Sequence, residues 1–342
     1  MRSKHQLIRR ISAAAILACF FLSPIAFSQT APGSLDVHWN EGASDCKEHP
    51  QPPLQVHSYN AQTFIIRENL CYTFEAPFLY LLIGTQKAIL VDTGDVTDPK
   101  LMPLAATVLQ LLPASGSTKL PLLVVHTHRH LDHRAGDGQF TSLPNVQVVG
   151  YDIDSVRRFY HFTDWPNGKA EIDLGDRIVD VIPTPGHNET EVSFYDRNTG
   201  VFLSGDFLMP ARLLIDDTRA DLASAERVAE FVHDRPVSYV LGNHIEMNAQ
   251  GELYPWGAQY HPNEHALQLK KDDLLALPAA IAGFNGLYST SGQFVLMNSM
   301  RLLVVFTLLS LCVLAALVVA VVWLIKTRRR GRLQRSQPNQ SL

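Results

Sequence analysis

The amino-acid sequence predicts an α/β layered fold followed by a C-terminal transmembrane helix. Short apolar runs typical of strands alternate with segments that carry apolar residues at helical spacing, which is the pattern of a layered α/β domain. Near the carboxyl end, residues 302–325, from Leu302 to Ile325, contain no charged side chain. At about 1.5 Å of rise per residue this segment reaches roughly 36 Å, longer than the ~30 Å hydrocarbon core of a bilayer. A core helix of this length would need a polar face, so a membrane span is the prediction.

The amino end has the features of a secretory signal peptide over residues 1–28. A basic start precedes a largely apolar stretch, and the small-x-small sequence Ala26-Phe27-Ser28 is a cleavage site. The apolar stretch is long enough to remain instead as an uncleaved anchor. Both alternatives place the following domain on the same side of the membrane.

The chain between the two apolar ends predicts one large domain with short flanking segments. A Pro-rich lead-in covers residues 29–53, the domain covers 54–282, and a Gly- and Ser-containing tether covers 283–301. Strand-like runs occur at 54–59, 63–67, 78–83, 87–91 and 122–126. Helices are predicted over 99–112, with Pro99 and Pro103 in the first turn, from Asp132 to 140, over 221–233, and over 264–277 with Asn263 as its cap.

Charge and cysteine content bound the environment of this domain. The net charge is −4, so no nucleic-acid partner is expected. The tail 326–342 is rich in Lys and Arg directly after the apolar segment, which predicts a cytoplasmic tail and a periplasmic or extracellular domain. Of the four cysteines, Cys46 and Cys71 lie outside the apolar segments. In an oxidising compartment they can pair, although two cysteines alone do not establish a disulfide framework.

Residues 126–133 read His-Thr-His-Arg-His-Leu-Asp-His and carry the strongest functional signal. His128, His130, Asp132 and His133 form the pattern H-x-H-x-D-H. Imidazole and carboxylate groups are ligands for divalent metals. Four of them within six positions exceed what one open tetrahedral site needs. The pattern therefore predicts two neighbouring metal ions, each completed by ligands from elsewhere.

Three later residues can complete those sites. His187, Asp206 and His244 each follow a short apolar strand, beside a glycine or one residue from it. Loops at the ends of strands place functional side chains on a rigid scaffold. Seven donors in this arrangement are improbable by chance, whereas isolated histidines elsewhere are surface or core residues.

The ordered set resembles the metallo-β-lactamase-fold hydrolases. It comprises Asp92 in Val91-Asp92-Thr93-Gly94, then His128/His130/Asp132/His133, His187, Asp206 and His244. The resemblance covers about residues 55–250 and implies a four-layer αββα sandwich. It implies that His128, His130 and His187 hold one metal, that Asp132, His133 and His244 hold the other, and that Asp206 bridges them. Asp92 would orient the ligands from outside.

The resemblance also implies the chemistry. Two metals about 3.5–4 Å apart can share a hydroxide, and Asp132 would orient it, so the expected reaction is hydrolysis of an ester, thioester, lactone or related bond in a small-molecule substrate. A carboxylate at position 206 resembles glyoxalase II and lactonase members, which places β-lactamase-type amide hydrolysis second. Zinc is the expected metal, with iron or manganese as alternatives. A single-iron persulfide-oxidising enzyme and a non-catalytic metal-stabilised membrane receptor are further alternatives.

Some polar residues near the motifs have two interpretations. His126 ends a strand outside the ligand pattern and is interpreted as structural or as a support for the ligands. Tyr260 and His261 either belong to a turn before the helix at 264 or contact substrate, and the turn is favoured. Asn188 and Glu189 beside His187 either face substrate or lie in a solvated loop.

Overall fold

The computed structural model describes residues 30–116 and 118–335. The predicted signal peptide and the end of the basic tail lie outside the described residues. Two six-stranded sheets form the centre of the domain, in the orders β1-β2-β3-β4-β7-β8 and β15-β14-β12-β11-β10-β9. The strands of the first sheet are β1 Leu54–Asn60, β2 Thr63–Glu68, β3 Phe78–Ile83, β4 Ala88–Val91, β7 Leu122–Val125 and β8 Val146–Val148. Those of the second are β9 Ala170–Asp173, β10 Ile178–Pro183, β11 Val192–Asp196, β12 Val201–Gly205, β14 Tyr239–Gly242 and β15 Gln268–Leu269.

The remaining elements cover the two sheets or extend from them. The helices are α1 Leu104–Leu111, α2 Ile153–Phe159, α3 Thr218–Val232, α4 Lys271–Ala282 and α5 Ser299–Arg335. A two-stranded hairpin pairs β5 Ala114–Ser115 with β6 Thr118–Lys119, and a three-stranded sheet has the order β13-β17-β16. Its strands are β13 Arg212–Leu214, β16 Tyr288–Ser291 and β17 Phe294–Met297.

Three apolar clusters show that these elements form four layers. The central cluster joins side chains of both six-stranded sheets, such as Phe78 and Phe194. A second cluster lies between the outer face of the first sheet and α1, where Val108 is fully buried. The third lies between the second sheet and α3 and α4, and includes Val228 and Leu277. The expected αββα sandwich is therefore confirmed.

The carboxyl ends of the central strands meet at one edge of the sandwich. β4 and β7 pair in parallel, and so do β12 and β14. The loops after these four strands begin with Asp92, His126, Asp206 and Asn243. β3, in the middle of the first sheet, has both faces buried, which explains why it is a continuous apolar run. The topology thus gathers all the predicted polar motifs at one edge.

Several helix predictions need correction, and α3, for example, begins at Thr218 rather than at residue 221. α1 begins at Leu104 rather than at residue 99, with Pro103 before its first turn. The segment after Asp132 forms two short 3₁₀ helices, Leu131–His133 and Ala135–Gln139, instead of an α-helix. Gly136 lies against the carbonyl oxygen of Thr93, where an added Cβ would come within 2.3 Å. This close backbone contact holds the segment in its tighter turns.

The helix predicted over residues 264–277 is also wrong for residues 264–270. α4 begins at Lys271, and Asn263 adopts a positive φ of 58°, which is not the conformation of a helix cap. The side chain of Glu264 is 5% exposed and accepts two hydrogen bonds of 2.6 Å from the guanidinium of Arg67 on β2. This long-range pair holds residue 264 against β2, where Glu264 forms an isolated bridge with Asn248 instead of starting a helix.

The flanking segments belong to the folded domain. In the lead-in, Trp39 is buried against Phe78 with ring centroids 4.9 Å apart, and Cys46 forms a disulfide with Cys71. The predicted tether 283–301 is wrong as an extended linker, because it contains β16 and β17, and β17 pairs with β13. Only one residue separates β17 from α5. Among the described residues, α5 is the one helix long and apolar enough to cross a membrane.

Candidate metal centre

The seven predicted ligands converge in two groups at the sheet edge. The first group consists of His128, His130 and His187, and the second of Asp132, His133, Asp206 and His244. Within each group the donor atoms all lie within 4.8 Å of one another. The four residues of the 128–133 segment come from the loop after β7, and the other three follow β10, β12 and β14.

Asp206 lies between the two groups. Its Oδ2 is 3.9 Å from Nε2 of His128 and 3.6 Å from Nε2 of His187. The same oxygen is 3.5 Å from Nε2 of His133, and Oδ1 is 3.6 Å from Nε2 of His244. One carboxylate is thus within reach of both groups, as a bridging ligand requires.

The donor set fits divalent cations. Three buried donor atoms have no hydrogen-bond partner among the described residues, namely Nε2 of His133, Nε2 of His244 and Oδ1 of Asp206. Buried polar atoms are normally paired, so these three call for a partner that a cation would supply. The set contains nitrogen and oxygen donors and no thiolate, which suits zinc, iron or manganese.

The protonation states of two histidines and two carboxylates among the candidate ligands suit metal binding. Burial lowers the pKa of His128 well below its usual value, and burial and His187 lower that of His130. Burial would raise the pKa of Asp132 and Asp206, but the neighbouring His133 and His244 outweigh it and hold both carboxyls well below their usual range. Neutral imidazoles and ionised carboxylates are the forms that ligate metals.

His133 and His244 hold protons more tightly. Burial lowers their pKa values, but nearby carboxylates outweigh it. Asp132, Asp206 and Asp92 raise the pKa of His133 well above its usual value, and Asp206 and Asp132 raise that of His244 to about 10. A cation must therefore displace protons from both rings, which makes metal binding weaker at low pH.

Hydrogen bonds orient the ligands from behind. The fully buried Asp92 accepts hydrogen bonds from the backbone N–H of Thr127 (2.7 Å) and the Thr127 hydroxyl (2.8 Å), and contacts Nδ1 of His133 at 3.0 Å. It also accepts a 2.7 Å hydrogen bond from Nδ2 of Asn243. On the other side, Nδ1 of His187 lies 3.1 Å from the carbonyl oxygen of Leu214. These contacts fix which ring nitrogen faces the centre.

His126 lies outside both groups, as its sequence position suggested. Its Nε2 is 2.8 Å from Oδ1 of Asp137, which also accepts a hydrogen bond of 2.8 Å from the hydroxyl of Thr93. Asp137 thus joins the second 3₁₀ helix both to His126 at the end of β7 and to the loop that carries Asp92. His126 therefore has a structural role here.

The other ambiguous polar residues divide between the site and its surroundings. Asn188 lies at the first group, where its Nδ2 is 3.1 Å from Nε2 of His130, whereas the half-exposed Glu189 forms an ion pair with Arg129. His261 is buried, stacked on Tyr254 and 3.2 Å from Glu264. It is neither in a helix-leading turn nor among the residues of the metal cleft.

Three buried acidic side chains and one partly buried one, Glu75, lie around the centre and were not predicted from the sequence. Burial raises the pKa of Glu68 to about 8 and that of Glu75 to about 7. It also raises the pKa values of Glu191 and Asp221 well above their usual values. Gly186 packs against Asp221, so an added Cβ would lie 2.0 Å from its Oδ1. The glycine before His187 was a usable signal for such close packing.

A cleft of about 170 Å³ opens above the candidate ligands. Besides five of the ligands, it is lined by Glu75, Met209, Arg212, Leu214, Glu246 and Trp256. The Arg212 guanidinium lies 3.2 Å from the Glu246 carboxylate and 5.8 Å from the ring of Trp256. Ligand sites usually span about 300–1,000 Å³, so this cleft has room for only part of a ligand of that size.

Comparison with known proteins gives concordant matches. A family model described as the metallo-beta-lactamase superfamily matches residues 72–282. The chain is 26% identical over 231 residues to the acyl-coenzyme A thioesterase MBLAC2 of Gallus gallus, covering 58% of this chain and 82% of that protein. It is 35% identical over 131 residues to the hydroxyacylglutathione hydrolase of Anaeromyxobacter dehalogenans, covering 38% of this chain and 46% of that protein. The chain thus spans about half the length of this second relative.

Two solved structures also match. A metallo beta lactamase from Hirschia baltica is 13% identical, with coverage of 56% of this chain and 91% of that chain and a TM-score of 0.43. A metallo-beta-lactamase from Pontibacter korlensis is 18% identical, with coverage of 66% and 99% and a TM-score of 0.43.

Proposed function

Because this chain belongs to the metallo-beta-lactamase superfamily, we propose that it is a dinuclear metallo-hydrolase that cleaves a thioester or a related ester or lactone. The observation that carries the proposal is the position of Asp206 within 4 Å of histidines from both ligand groups. A carboxylate in this position would be shared by two cations at one cleft. The names of the relatives, a thioesterase and a hydroxyacylglutathione hydrolase, favour a thioester as the bond.

The proposed ligand assignment follows the two groups. His128, His130 and His187 would hold one divalent cation, and Asp132, His133 and His244 the other, with Asp206 shared. When bound, the two ions would supply Lewis-acid chemistry that lowers the pKa of water and polarises the scissile carbonyl. Zinc is the proposed metal, with iron or manganese as alternatives.

The side chains of the cleft would orient the reacting groups and exclude bulk water. Asp132 lies 3.2 Å from Nε2 of His133 and 3.4 Å from Nε2 of His244, and its ionised carboxylate would align the attacking water. Arg212 lies in the cleft wall and can bind the negative charge of a leaving thiolate or carboxylate. Trp256 closes part of the rim and limits the access of bulk water.

A substrate panel with the full chain tests this function. Protein reconstituted with zinc, manganese or iron should hydrolyse a hydroxyacylglutathione or an acyl-coenzyme A, and chelation should remove the activity. A lactone, a phosphodiester and a β-lactam complete the panel, and turnover of the β-lactam alone would assign the amide alternative instead. Metal-loaded protein that hydrolyses none of these while binding a partner protein would overturn the hydrolase proposal.

One substitution tests the role of Asp132. Asp132→Ala should lower kcat by at least about a hundredfold, since aligning the nucleophile contributes on this scale. The exposed Asp154→Ala is the matched control and should retain the wild-type rate. Wild-type turnover by Asp132→Ala would refute the assigned role.

We further propose that the domain lies outside the cytoplasmic membrane, in the periplasm of a bacterium. Two observations support this placement: basic residues follow the apolar part of α5, and Cys46 and Cys71 form a disulfide. Lys and Arg beside a span stay cytoplasmic, and disulfides persist in oxidising compartments. A fluorescent protein fused after Leu342 should fold and fluoresce if the tail is cytoplasmic. An active periplasmic phosphatase at the same position would contradict this orientation.

A further inference from the structure

The strand that precedes the apolar helix α5 is rigidly joined to the cleft. β17 ends at Met297 and α5 begins at Ser299, so Asn298 is the whole connection. Asn298 is buried, donates a 2.6 Å hydrogen bond from Nδ2 to the carbonyl oxygen of Ile215, and accepts one of 2.9 Å at Oδ1 from the backbone N–H of Arg301. The start of the helix is therefore fixed to the domain and not carried on a flexible linker.

β13, beside β17, forms part of the cleft wall. The two strands pair in parallel, with Leu214 opposite Met297 at their carboxyl ends. Arg212 and Leu214 line the cleft, and the Leu214 carbonyl oxygen contacts the ring of His187. The apolar segment of α5 starts at Leu302, only about 5 Å of helix beyond Ser299. The metal ligands are thus one strand away from the chain that enters the bilayer.

The rim of this cleft carries exposed aromatic side chains. Trp256 is 62% exposed and Phe74 is 39% exposed, with ring centroids 6.2 Å apart. Trp256 also lines the cleft, and Met209 and Leu214 add apolar surface inside it. Tryptophan concentrates at membrane–water interfaces, because its ring packs on apolar chains while its N–H contacts water.

We propose that the substrate is a long-chain acyl thioester held in the same membrane as α5, whose acyl chain leaves the bilayer over Trp256 and Phe74 to reach the metals. The inference rests on the proposed hydrolase function and on the anchoring of α5. Hydrolysis forms a bond between the water oxygen and the acyl carbon and breaks the C–S bond. The products are a thiol and a fatty acid, which releases its proton at neutral pH.

Chain length tests the acyl site. The probes are N-acetylcysteamine thioesters with acyl chains of four, eight and sixteen carbons, offered to the full chain in phosphatidylcholine vesicles. The value of kcat/KM should rise at least about tenfold from four to sixteen carbons, because burying two methylenes suffices for that factor. In Trp256→Ala, kcat/KM should fall about tenfold more on the sixteen-carbon thioester than on the four-carbon thioester.

Tyr288→Ala is the matched control. Tyr288 is also an exposed aromatic residue opposite Met297, but it lies on β16, on the other side of β17 from the cleft. Its replacement should change neither rate by more than twofold. Equal rates for all chain lengths, or an equal loss on short and long chains in Trp256→Ala, would overturn the acyl site.

The height of the cleft above the bilayer is tested separately. A Gly-Ser insert of about 12 residues between Arg301 and Leu302 would let the domain move roughly 20 Å away. Hydrolysis of the sixteen-carbon thioester should then fall at least about fivefold, while the four-carbon rate stays unchanged. The same insert after Arg329, beyond the span, should change neither. An undiminished long-chain rate with the first insert would overturn the proposal.

A fluorescence measurement separates this inference from the hydrolase function. In the Trp323→Phe variant, phosphatidylcholine with a spin label near its headgroup should quench the fluorescence of Trp256. The part of the fluorescence that is quenched should be absent from the double variant Trp323→Phe/Trp256→Phe. If no thioester is hydrolysed but Trp256 is quenched, the hydrolase function fails and the membrane-facing cleft stands. If thioesters are hydrolysed but Trp256 is not quenched, the hydrolase function stands and the membrane-facing cleft fails.

Discussion

Replacing Asp92 with Asn should weaken both the fold and the metal centre. The two carboxylate oxygens of Asp92 together face three N–H or O–H groups of Thr127 and Asn243 and the ring of His133, all in fully buried surroundings. Asn offers only one oxygen. With its amide nitrogen at the Oδ1 position, the backbone N–H of Thr127 loses its acceptor. With the nitrogen at the Oδ2 position, three contacts are lost.

The magnitude follows from the better of these two orientations. One buried N–H without an acceptor costs about 1–3 kcal/mol, and three remaining contacts weaken because the acceptor is no longer charged. The free energy of unfolding should fall by about 3–5 kcal/mol, which lowers Tm by roughly 10 °C for a domain of this size. Loss of an orienting group behind a ligand also weakens metal binding about 10- to 100-fold.

Two assays check the Asp92 prediction. Thermal unfolding of chelator-treated full chain in detergent gives the stability change, and competition with a chromogenic chelator gives the metal affinity. Asp98→Asn is the control, since Asp98 is exposed and contacts only the nearby backbone. An Asp92→Asn protein that unfolds within 2 °C of wild type and binds metal with equal affinity would refute the reasoning.

Three further predictions concern buried charge, close packing and metal linkage. Burial raises the pKa of Glu68 to about 8. Between pH 4.5 and 8 the folded state therefore binds more protons than the unfolded state. The free energy of unfolding should fall by up to about 5 kcal/mol as the pH rises through that window. Glu68→Gln should remove this slope in Tm between pH 6 and 9; an unchanged slope would contradict it. Gly186→Ala places a Cβ 2.0 Å from Asp221 and should lower Tm by several degrees. Gly138→Ala, which has open space at its Cβ position, should leave Tm unchanged. Equal Tm values for the two variants would exclude the close packing of Gly186 against Asp221. Zinc at about 100 times its Kd should stabilise the full chain by about 2.7 kcal/mol per site, and a Tm that is indifferent to zinc and chelator would speak against a site in the folded state.

The sequence predicted best what local chemistry determines. β3 was predicted at its full bounds, because both of its faces are buried and its residues form one apolar run. The seven donors were identifiable because polar residues directly after apolar strands have few other structural reasons to be there. Their order along the chain then specified which loops would meet.

Long-range contacts account for what the sequence did not predict. The helix expected at 264 fails because Glu264 pairs with Arg67, almost 200 positions earlier. The segment 283–301 looked like a linker, since nothing near it in sequence shows that β17 will pair with β13. Burial of acidic residues such as Glu191 is likewise a property of the assembled sandwich and leaves no local pattern.

The number of metal ions bound per chain tests the central claim most directly. Full-length protein saturated with zinc and freed of loosely bound ions should contain two ions per chain by elemental analysis. Asp206→Ala, which removes the carboxylate lying between the two ligand groups, should lower that number, whereas Asp154→Ala should not. A wild-type protein that retains no metal after saturation, or an Asp206→Ala protein that keeps both ions at undiminished affinity, would contradict the dinuclear centre.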